Sequence, residues 1–393
     1  MDEILVKCEK LDHFGRGIGY VNDKIIFVPD LLPDEEALVK ITLNKKKYMV
    51  GQVIKRTRDS DERILPKCQY EDCGCALKNL SYEKTLEYKL DKVREILQKY
   101  SGLKVPLETI VPSEVIYGYR DKITLKVHDG KIGYYRNGTH DLLEIDKCVL
   151  VSSKMNEIIS VLKKMDLSKV HEVVIKDFGE VMIWIKGDLK IDELKKYADS
   201  IYINNDLVYG KEYVRAQLGD FVFFVSKDSF FQVNMNVALK LYNKVLESIK
   251  GDFNQTVLDL YCGTGTISIF LSKYFKRVIG VEINEEAIRC ANLNKELNGA
   301  DNVDFILADA SEIEDVRADI VVLDPPRSGL SEKTIEDVLN IKAKKIAYVS
   351  CDPMTLARDL KMLKDEYDLK EVTLFDMYGW TYHVETLCLL ERR

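Results

Sequence analysis

The sequence predicts an α/β protein whose C-terminal part is a doubly wound, Rossmann-like sheet, preceded by a small β-barrel and a mixed α+β region. Three observations support this prediction. Residues 1–58 alternate short β-like runs with glycine and charged turns, a pattern typical of a small barrel. Residues 226–393 alternate near-continuous apolar strands with helical segments, which indicates a parallel sheet covered on both faces. Residues 59–225 mix hairpins with helices.

These three ranges are the predicted domains of a chain of 393 residues, of which 46% are hydrophobic and 31% charged. The first residues are charged and no apolar run approaches membrane-spanning length. We therefore expect a cytoplasmic protein that does not bind membranes. The nine cysteines are an odd number, and we expect thiols, metal or cluster ligands, or catalytic groups rather than disulfides.

The predicted barrel contains a locally basic segment. Lys40–Arg58 has seven Lys or Arg and no acid, although the net charge of the chain is −7. Lysines placed in this way can bind phosphates, since each contact releases counterions from a nucleic acid. An ordinary solvated strand face is the other interpretation, and the segment alone does not separate the two.

The predicted central range begins with a loop of three cysteines, CQYEDCGC, followed by a helix. Ser81 is placed to cap this helix, and Gly102 lies just past its end. Beyond it, YGYRDKITLKVHDGKIGYY predicts strands and hairpins, and SSKMNEIISVLKKM predicts an amphipathic helix.

The first strands of the doubly wound part predict a nucleoside site. Gly263 and Gly265 form a turn between a buried strand and a helix, where a Cβ would bar positive φ and hold a ligand away. Glu282 and Asp309 end the next two strands, and a carboxylate at such a tip can bind a ribose diol. The longer glycine fingerprint of Rossmann dehydrogenases is absent, so an adenosine cofactor without a pyrophosphate fits better, and S-adenosylmethionine is the usual one.

Two later strand ends predict a nucleophile and a base. Cys351 stands just before a helix capped by Asp352 and started by Pro353, where the helix dipole favours a thiolate, although the Asp352 carboxylate opposes it. Glu385 interrupts a buried strand, and burial would raise its pKa towards the range of a general base. Simple packing of the thiol and a salt bridge of the carboxylate are the structural alternatives.

These groups suit methylation of carbon 5 of a uracil. A thiolate adds at carbon 6 so that carbon 5 can attack the cofactor's methyl group, and a base then removes the carbon 5 proton. Cytosine-directed enzymes of this chemistry carry a further cysteine beside the Pro-Pro strand end. Asp324–Arg327, DPPR, has none, which favours uracil.

At this point the sequence resembles the RNA uracil-5-methyltransferase family. The motifs SFFQVN, DLYCGTGT, VVLDPPRSGL, YVSCDP and HVETLCLL stand in the family's order between residues 229 and 393. Upstream, FGRGIGYV to GQVIKRTRD is similar to a TRAM barrel, and YGYRDK with GYYRNGTHDLLEIDKC is similar to the central RNA-binding domain. The resemblance implies that Cys351 is the nucleophile and Glu385 the base. It also implies a cofactor pocket that includes Gln232, Tyr261, Gly263, Gly265, Thr266, Glu282, Asp309 and Asp324.

Several members of that family hold a [4Fe–4S] cluster with three cysteines of one loop and a fourth far downstream. The resemblance therefore implies a cluster on Cys68, Cys73, Cys75 and Cys148, although the loop spacing here is shorter than usual. Zinc in a four-cysteine site is the alternative.

The resemblance implies RNA as the partner, with 23S ribosomal RNA as the first expectation and transfer RNA as the second. We expect a monomer without a protein partner. A radical S-adenosylmethionine enzyme is disfavoured because its Cys-x₃-Cys-x₂-Cys loop is absent. A non-catalytic RNA-binding or ribosome-assembly protein with a methyltransferase fold is the rival from another class.

Overall fold

The computed structural model describes residues 3–313 and 316–393. The chain forms two compact units. The first consists of the described residues up to Lys92 together with Tyr135–Leu143 and Tyr378–His383, and the second consists of Val93–Tyr134, Glu144–Met377 and Val384–Arg393. No helix among the described residues is both long enough and apolar enough to cross a membrane.

The N-terminal strands confirm the predicted small β-module. They are β1 (Glu3–Lys7), β2 (Lys10–Leu11), β3 (Gly17–Val21), β4 (Lys24–Val28), β5 (Glu36–Asn44) and β6 (Tyr48–Arg58). Their order in the sheet is β1-β5-β6-β4-β3-β2. Alternate side chains point inward, and Val6, Ile26 and Val39 are fully buried in one apolar cluster.

A long helix and a short strand follow. Helix α1 (Tyr82–Ser101) begins where predicted, because the Ser81 hydroxyl accepts a hydrogen bond from the N–H of Lys84 at 3.3 Å. It ends before Gly102, which has a φ of +71°. The strand is β7 (Leu107–Val111).

The central region contains a seven-stranded sheet and a separate hairpin. Its elements are β8 (Lys122–His128), β9 (Lys131–Tyr135), β10 (Leu142–Glu144), α2 (Ser153–Leu162), β11 (Val170–Asp177), β12 (Val181–Gly187), β13 (Ser200–Ile203), β14 (Asp206–Gly210), β15 (Val214–Leu218) and β16 (Phe221–Val225). The sheet order is β10-β9-β8-β11-β12-β13-β14, and β15 pairs with β16. Helix α2 is the amphipathic helix that the apolar spacing of this segment predicts, and the Ser152 hydroxyl caps it.

The C-terminal part is a mixed sheet flanked by helices, which confirms the predicted α/β fold. Its elements are α3 (Met235–Ile249), β17 (Thr256–Leu260), α4 (Thr266–Ser272), β18 (Arg277–Glu282), α5 (Glu285–Asn298), β19 (Val303–Leu307), β20 (Ile320–Leu323), α6 (Glu332–Ile341), β21 (Lys345–Ser350), α7 (Pro353–Leu363), β22 (Tyr367–Phe375) and β23 (Glu385–Arg392). The order is β19-β18-β17-β20-β21-β23-β22-β7. Strands β17 to β21 are parallel, whereas β23 is antiparallel to its neighbours β21 and β22.

The edge strand of this sheet comes from an unexpected part of the chain. Strand β7 pairs in parallel with β22, with Ile110 opposite Leu374. The sequence predicts that β7 belongs to the central range 59–225, because its residues precede the regular βα alternation. Backbone pairing at a sheet edge needs no such sequence signal.

Candidate active site

The glycine turn between β17 and α4 has the backbone that the sequence predicts. Gly263 and Gly265 have φ values of +54° and +78°. A Cβ on Gly263 would meet nothing within 4 Å, whereas a Cβ on Gly265 would lie 2.4 Å from the Phe305 ring. Gly265 is therefore required by packing against β19, and the open space lies at Gly263.

The two predicted acids lie at the ends of neighbouring strands. Glu282 accepts the Gly263 N–H at 3.1 Å with one carboxylate oxygen and the Asn284 N–H at 2.9 Å with the other. Asp309 accepts both the N–H and the hydroxyl of Ser311, and these hydrogen bonds lower the pKa of its carboxyl. Glu282 is thus tied to the glycine turn, and Asp309 is ionised at neutral pH.

Buried polar atoms without a partner surround the same turn. Among the described residues, Gln232 Oε1, Asp259 Oδ1 and Thr264 Oγ1 are buried and accept or donate no hydrogen bond. A buried polar group left unpaired is costly, so such atoms mark places where a ligand or water completes the bonding. These atoms and the space at Gly263 fit a small polar cofactor such as S-adenosylmethionine.

Two residues at this site were missed by the sequence analysis. Tyr242 on α3 is buried, and its hydroxyl lies close to the side chains of two predicted pocket residues, Thr266 and Gln232. Asp259 accepts the Ser268 hydroxyl at 2.6 Å, and burial raises its pKa to about 7. Asp259 could have been noticed as an acid inside an apolar strand, whereas nothing in the sequence distinguishes Tyr242.

Tyr261 is held in an unusual backbone conformation. Its φ of +63° lies in the left-handed region, which is costly for a residue with a Cβ. Burial is the main cause of the raised pKa of its hydroxyl, which lies near Thr334 at the start of α6. The turn therefore directs this ring towards α6.

Cys351 directly follows β21 and precedes α7, as predicted. The predicted cap is also present: one oxygen of Asp352 accepts the N–H groups of Met354 and Thr355 at 2.9 and 3.0 Å, with Pro353 at the first helical position. These N–H groups are thus bonded to Asp352 rather than directed at the thiol. The expectation that the helix start stabilises a Cys351 thiolate is not met, because burial raises the pKa of this thiol to about 11.

Three ionisable side chains surround the thiol. Glu385, at the start of β23, is only 3% exposed, and burial together with the nearby Asp324 raises its pKa. Burial also raises the pKa of Asp324 to about 7. Arg327 lies beside the Cys351 thiol, and its positive charge lowers the pKa values of both Cys351 and Glu385. The structure therefore brings together a thiol, a buried carboxyl and a guanidinium, and the third was not among the predicted site residues.

Helix α7 also holds the loop that carries Arg327. The Arg327 carbonyl accepts a hydrogen bond from the Thr355 hydroxyl at 3.1 Å. Arg358 donates to the carbonyls of Ser328 and Leu330 at 3.0 and 2.9 Å, and Asp359 accepts the Leu330 N–H at 2.9 Å. One helix therefore positions both the thiol and the guanidinium.

A buried lysine holds the segment that leads to Gln232. Lys176 on β11 is 1% exposed, and its ammonium donates to the carbonyls of Ser226, Lys227 and Ser229 at 2.7, 3.0 and 3.0 Å. This role of Lys176 could not be predicted from the sequence, because the carbonyl groups that it binds lie about 50 residues downstream.

The predicted cluster ligands gain no support from the structure. The Cys73 thiol is hydrogen-bonded to Cys68 and Cys75, so these three side chains lie near one another. The Cys148 N–H donates to the Asn156 side chain at 2.8 Å. The described residues nevertheless include no group of three or more His, Cys, Asp or Glu side chains placed to hold a metal ion. The [4Fe–4S] cluster stays a prediction.

Comparison with known proteins places these features in a family. The tRNA (Uracil-5-)-methyltransferase model matches residues 187–393, and the TRAM domain model matches residues 2–54. The chain is 35% identical to an uncharacterized RNA methyltransferase of Clostridium tetani, over 96% of this chain and 93% of that protein. It is 33% identical to one of Halalkalibacterium halodurans, over 99% and 97%.

A solved structure is similar over nearly the whole chain. It is the Pyrococcus abyssi tRNA (uracil-54, C5)-methyltransferase in complex with S-adenosyl-L-homocysteine. The TM-score is 0.83 and the sequence identity 31%, covering 98% of this chain and all of that one.

Proposed function

Because the chain belongs to the RNA (uracil-5-)-methyltransferase family and thus to the enzymes that use S-adenosylmethionine, we propose that it methylates carbon 5 of a uridine in transfer RNA, with Cys351 as the nucleophile and Glu385 as the base. The observation that carries the proposal is the meeting of the Cys351 thiol, the Arg327 guanidinium and the buried Glu385 carboxyl at one end of the sheet.

Each of these side chains has a defined task in the proposed reaction. The Cys351 thiolate adds to carbon 6 of the uracil, which places negative charge on carbon 5 and the adjacent carbonyl oxygen. The cofactor, when bound, supplies the electrophilic methyl group that carbon 5 takes. Glu385 then accepts the carbon 5 proton, and the electron pair of that C–H bond restores the double bond as the carbon–sulfur bond breaks. Arg327 stabilises the thiolate that enters and leaves.

The pocket residues support the cofactor end of the proposal. Gln232, Asp259 and Thr264 offer buried polar atoms that still lack a partner, and Gly263 leaves space beside them. Glu282 and Asp309 provide carboxylates at the ends of β18 and β19, where ribose hydroxyls can donate to them. Tyr261, Thr266 and Asp324 complete the proposed set.

The choice of transfer RNA is based on the similar structure. From the sequence, the barrel and the expected cluster favour 23S ribosomal RNA. However, the Pyrococcus abyssi protein, named for a transfer RNA uridine, matches this chain over 98% of its length, so the barrel does not favour ribosomal RNA. The cluster has no support among the described residues. 23S ribosomal RNA is the alternative substrate, and iron and sulfide analysis of anaerobically purified protein tests the cluster separately.

The proposed roles are tested by two variants that stop the reaction at different steps. With unmodified transfer RNA, Cys351→Ala is expected to form neither 5-methyluridine nor a covalent complex. Glu385→Gln is expected to accumulate a covalent protein–RNA complex that carries the methyl group, because the carbon 5 proton cannot leave. Denaturing gels and nucleoside mass spectrometry measure both outcomes.

A matched control comes from the same sheet. Cys388 is a fully buried cysteine on β23, and Cys388→Ala should retain both product formation and transient complex formation. Unchanged methylation by Cys351→Ala would contradict its role as nucleophile. If only ribosomal RNA is methylated, the enzyme class stands and the proposed substrate is replaced.

A further inference from the structure

The outer face of the N-terminal module carries aromatic side chains from three strands, β3, β4 and β6. Tyr20 on β3 lies opposite Ile25 on β4, which lies opposite Tyr48 on β6. In the next row on the same face, further from the turn between β3 and β4, Ile18 lies opposite Phe27. Because side chains in register point to the same side of a sheet, Tyr20, Phe27 and Tyr48 share one face.

This face is the outer one and is accessible. The neighbouring residues Ile26 and Val28 on β4 are fully buried in the core, so Ile25 and Phe27 point away from it. Tyr20 is 53% exposed and Tyr48 37% exposed. The solvent side of a small sheet is normally polar, so exposed rings in one row need an explanation.

Arg16 extends this face with a stacked cation. Its guanidinium lies 4.6 Å from the centre of the Phe27 ring and 5.4 Å from that of Phe14, which is 54% exposed. The rings of Phe27 and Tyr48 lie 6.0 Å apart and edge to face. We call Phe14, Arg16, Tyr20, Phe27 and Tyr48 the aromatic face.

Positive charge adjoins the aromatic face. Lys45, Lys46 and Lys47 are exposed in the turn between β5 and β6, directly before Tyr48. Aromatic rings flanked by ammonium groups match a single-stranded nucleic acid, whose bases stack on the rings while its phosphates meet the lysines.

We propose that the aromatic face is a stacking surface for unpaired RNA bases, with Lys45–Lys47 binding the adjoining phosphates. The inference depends on the proposed function only in taking RNA as the substrate. It adds that the N-terminal module selects unpaired nucleotides, such as those of a loop, over a duplex.

The test compares an oligouridine of about 12 nucleotides with a fully paired RNA duplex, using fluorescence anisotropy with the full-length protein. Tyr20→Ala and Tyr48→Ala should each weaken oligouridine binding by about 5- to 100-fold, as expected for loss of one stacked base. Duplex binding and the salt dependence of affinity should not change. Tyr48→Phe keeps a ring and should bind as the unaltered protein does.

Two controls separate stacking from charge and from general surface effects. Lys46→Ala should weaken binding of both RNAs and reduce the slope of log affinity against log salt by about 0.7 to 0.9. Leu5, on β1, is 61% exposed and outside the aromatic face, so Leu5→Ala should change neither affinity. Oligouridine affinities of Tyr20→Ala and Tyr48→Ala equal to that of the unaltered protein would overturn the inference, as would equal losses for oligouridine and duplex.

Methylation assays distinguish failure of this inference from failure of the proposed function. If the unaltered protein forms no 5-methyluridine in any RNA, the proposed function is wrong, whatever the binding results. If it methylates transfer RNA, Tyr48→Ala should raise KM with kcat unchanged. An unchanged KM would refute the stacking surface and leave the proposed reaction intact.

Discussion

At the scale of single residues, Cys351 lies in surroundings that oppose its ionisation. Burial and the nearby Glu385 raise its pKa to about 11, and Arg327 only partly counteracts them. At neutral pH fewer than about one thiol in a thousand is then ionised in the free protein, since each pH unit below the pKa is a factor of ten. A protonated resting thiol is protected from adventitious oxidation, and Arg327 is the group placed to favour the thiolate when substrate arrives.

The rate of Cys351 alkylation should therefore depend on pH and on its two neighbours. Iodoacetamide labelling of the Cys351 peptide should rise about tenfold per unit up to a pH near the pKa, which is about 11. Glu385→Gln removes a negative charge and should move the labelling curve to lower pH, while Arg327→Gln should move it to higher pH. Peptide mass spectrometry follows the labelling, and a plateau already at neutral pH would contradict the protonated resting state.

The position of Cys351 could be predicted from the sequence, but its protonation could not. The apolar run before it and the Asp-Pro after it place the thiol between a strand and a helix, and both are present. Its pKa depends first on burial and then on the charges of Glu385 and Arg327, which come near Cys351 only after folding. Tyr242 and Lys176 were missed for the same reason, because their partners are defined by tertiary contacts.

At the scale of elements, the turn between β17 and α4 separates two uses of glycine. Gly263 and Gly265 both have positive φ, but only Gly265 is enclosed, with Phe305 on one side and Ala291 on the other. From the sequence alone, both glycines are explained by the approach of a ligand. The structure supports that reason at Gly263 and shows that packing between α4, α5 and β19 is the reason at Gly265.

Replacement by alanine should therefore lower the free energy of unfolding by different amounts at Gly263 and Gly265. Gly263→Ala places a Cβ in open space and should lower the free energy of unfolding by about 1 kcal/mol, the cost of positive φ. Gly265→Ala adds a clash with Phe305 and should cost about 3 kcal/mol or more. Urea unfolding measures both, and the double variant Gly265→Ala with Phe305→Leu should recover part of the loss. Equal costs for the two alanines would contradict this account.

At the scale of the whole molecule, the folded units do not follow the order of the chain. Tyr378–His383 belongs to the first unit although Glu385, two residues later, belongs to the second. Similarly, β7 joins a sheet whose other strands all lie beyond residue 255. The parallel run β17 to β21 was predictable because strands and helices alternate locally, whereas these long-range pairings leave no periodic signal. The predicted boundaries at residues 58 and 225 therefore stay predictions about sequence ranges.

Two acids of the second unit are buried, Asp259 within β17 and Asp324 directly after β20, and this should make its stability depend on pH. Asp259 and Asp324 have pKa values raised from 3.8 to about 7 by burial. The folded state then binds protons more tightly than the unfolded state between about pH 4 and about pH 7. A raised pKa contributes stability that is complete below the unfolded value and is lost as pH rises through the folded value. The cofactor-free protein should therefore become less stable to urea across this window and level off above it.

Replacing Asp259 or Asp324 should reduce the fall in stability with rising pH, whereas replacing Asp309 should not. Asp324→Asn cannot ionise, so its stability relative to the unaltered protein should be greater at pH 8 than at pH 4. Asp309 is the matched control, because hydrogen bonds from Ser311 lower its pKa, and a lowered pKa contributes stability that is lost as pH falls. Asp309→Asn should thus have the opposite sign of dependence, with a loss that is complete at pH 8 and diminishes mainly as pH falls below 3.8. Urea midpoints of the three proteins at both pH values measure these differences. If the midpoints of Asp324→Asn and Asp309→Asn changed with pH in the same direction, the two carboxyls would not titrate as expected from the burial of Asp324 and the hydrogen bonding of Asp309.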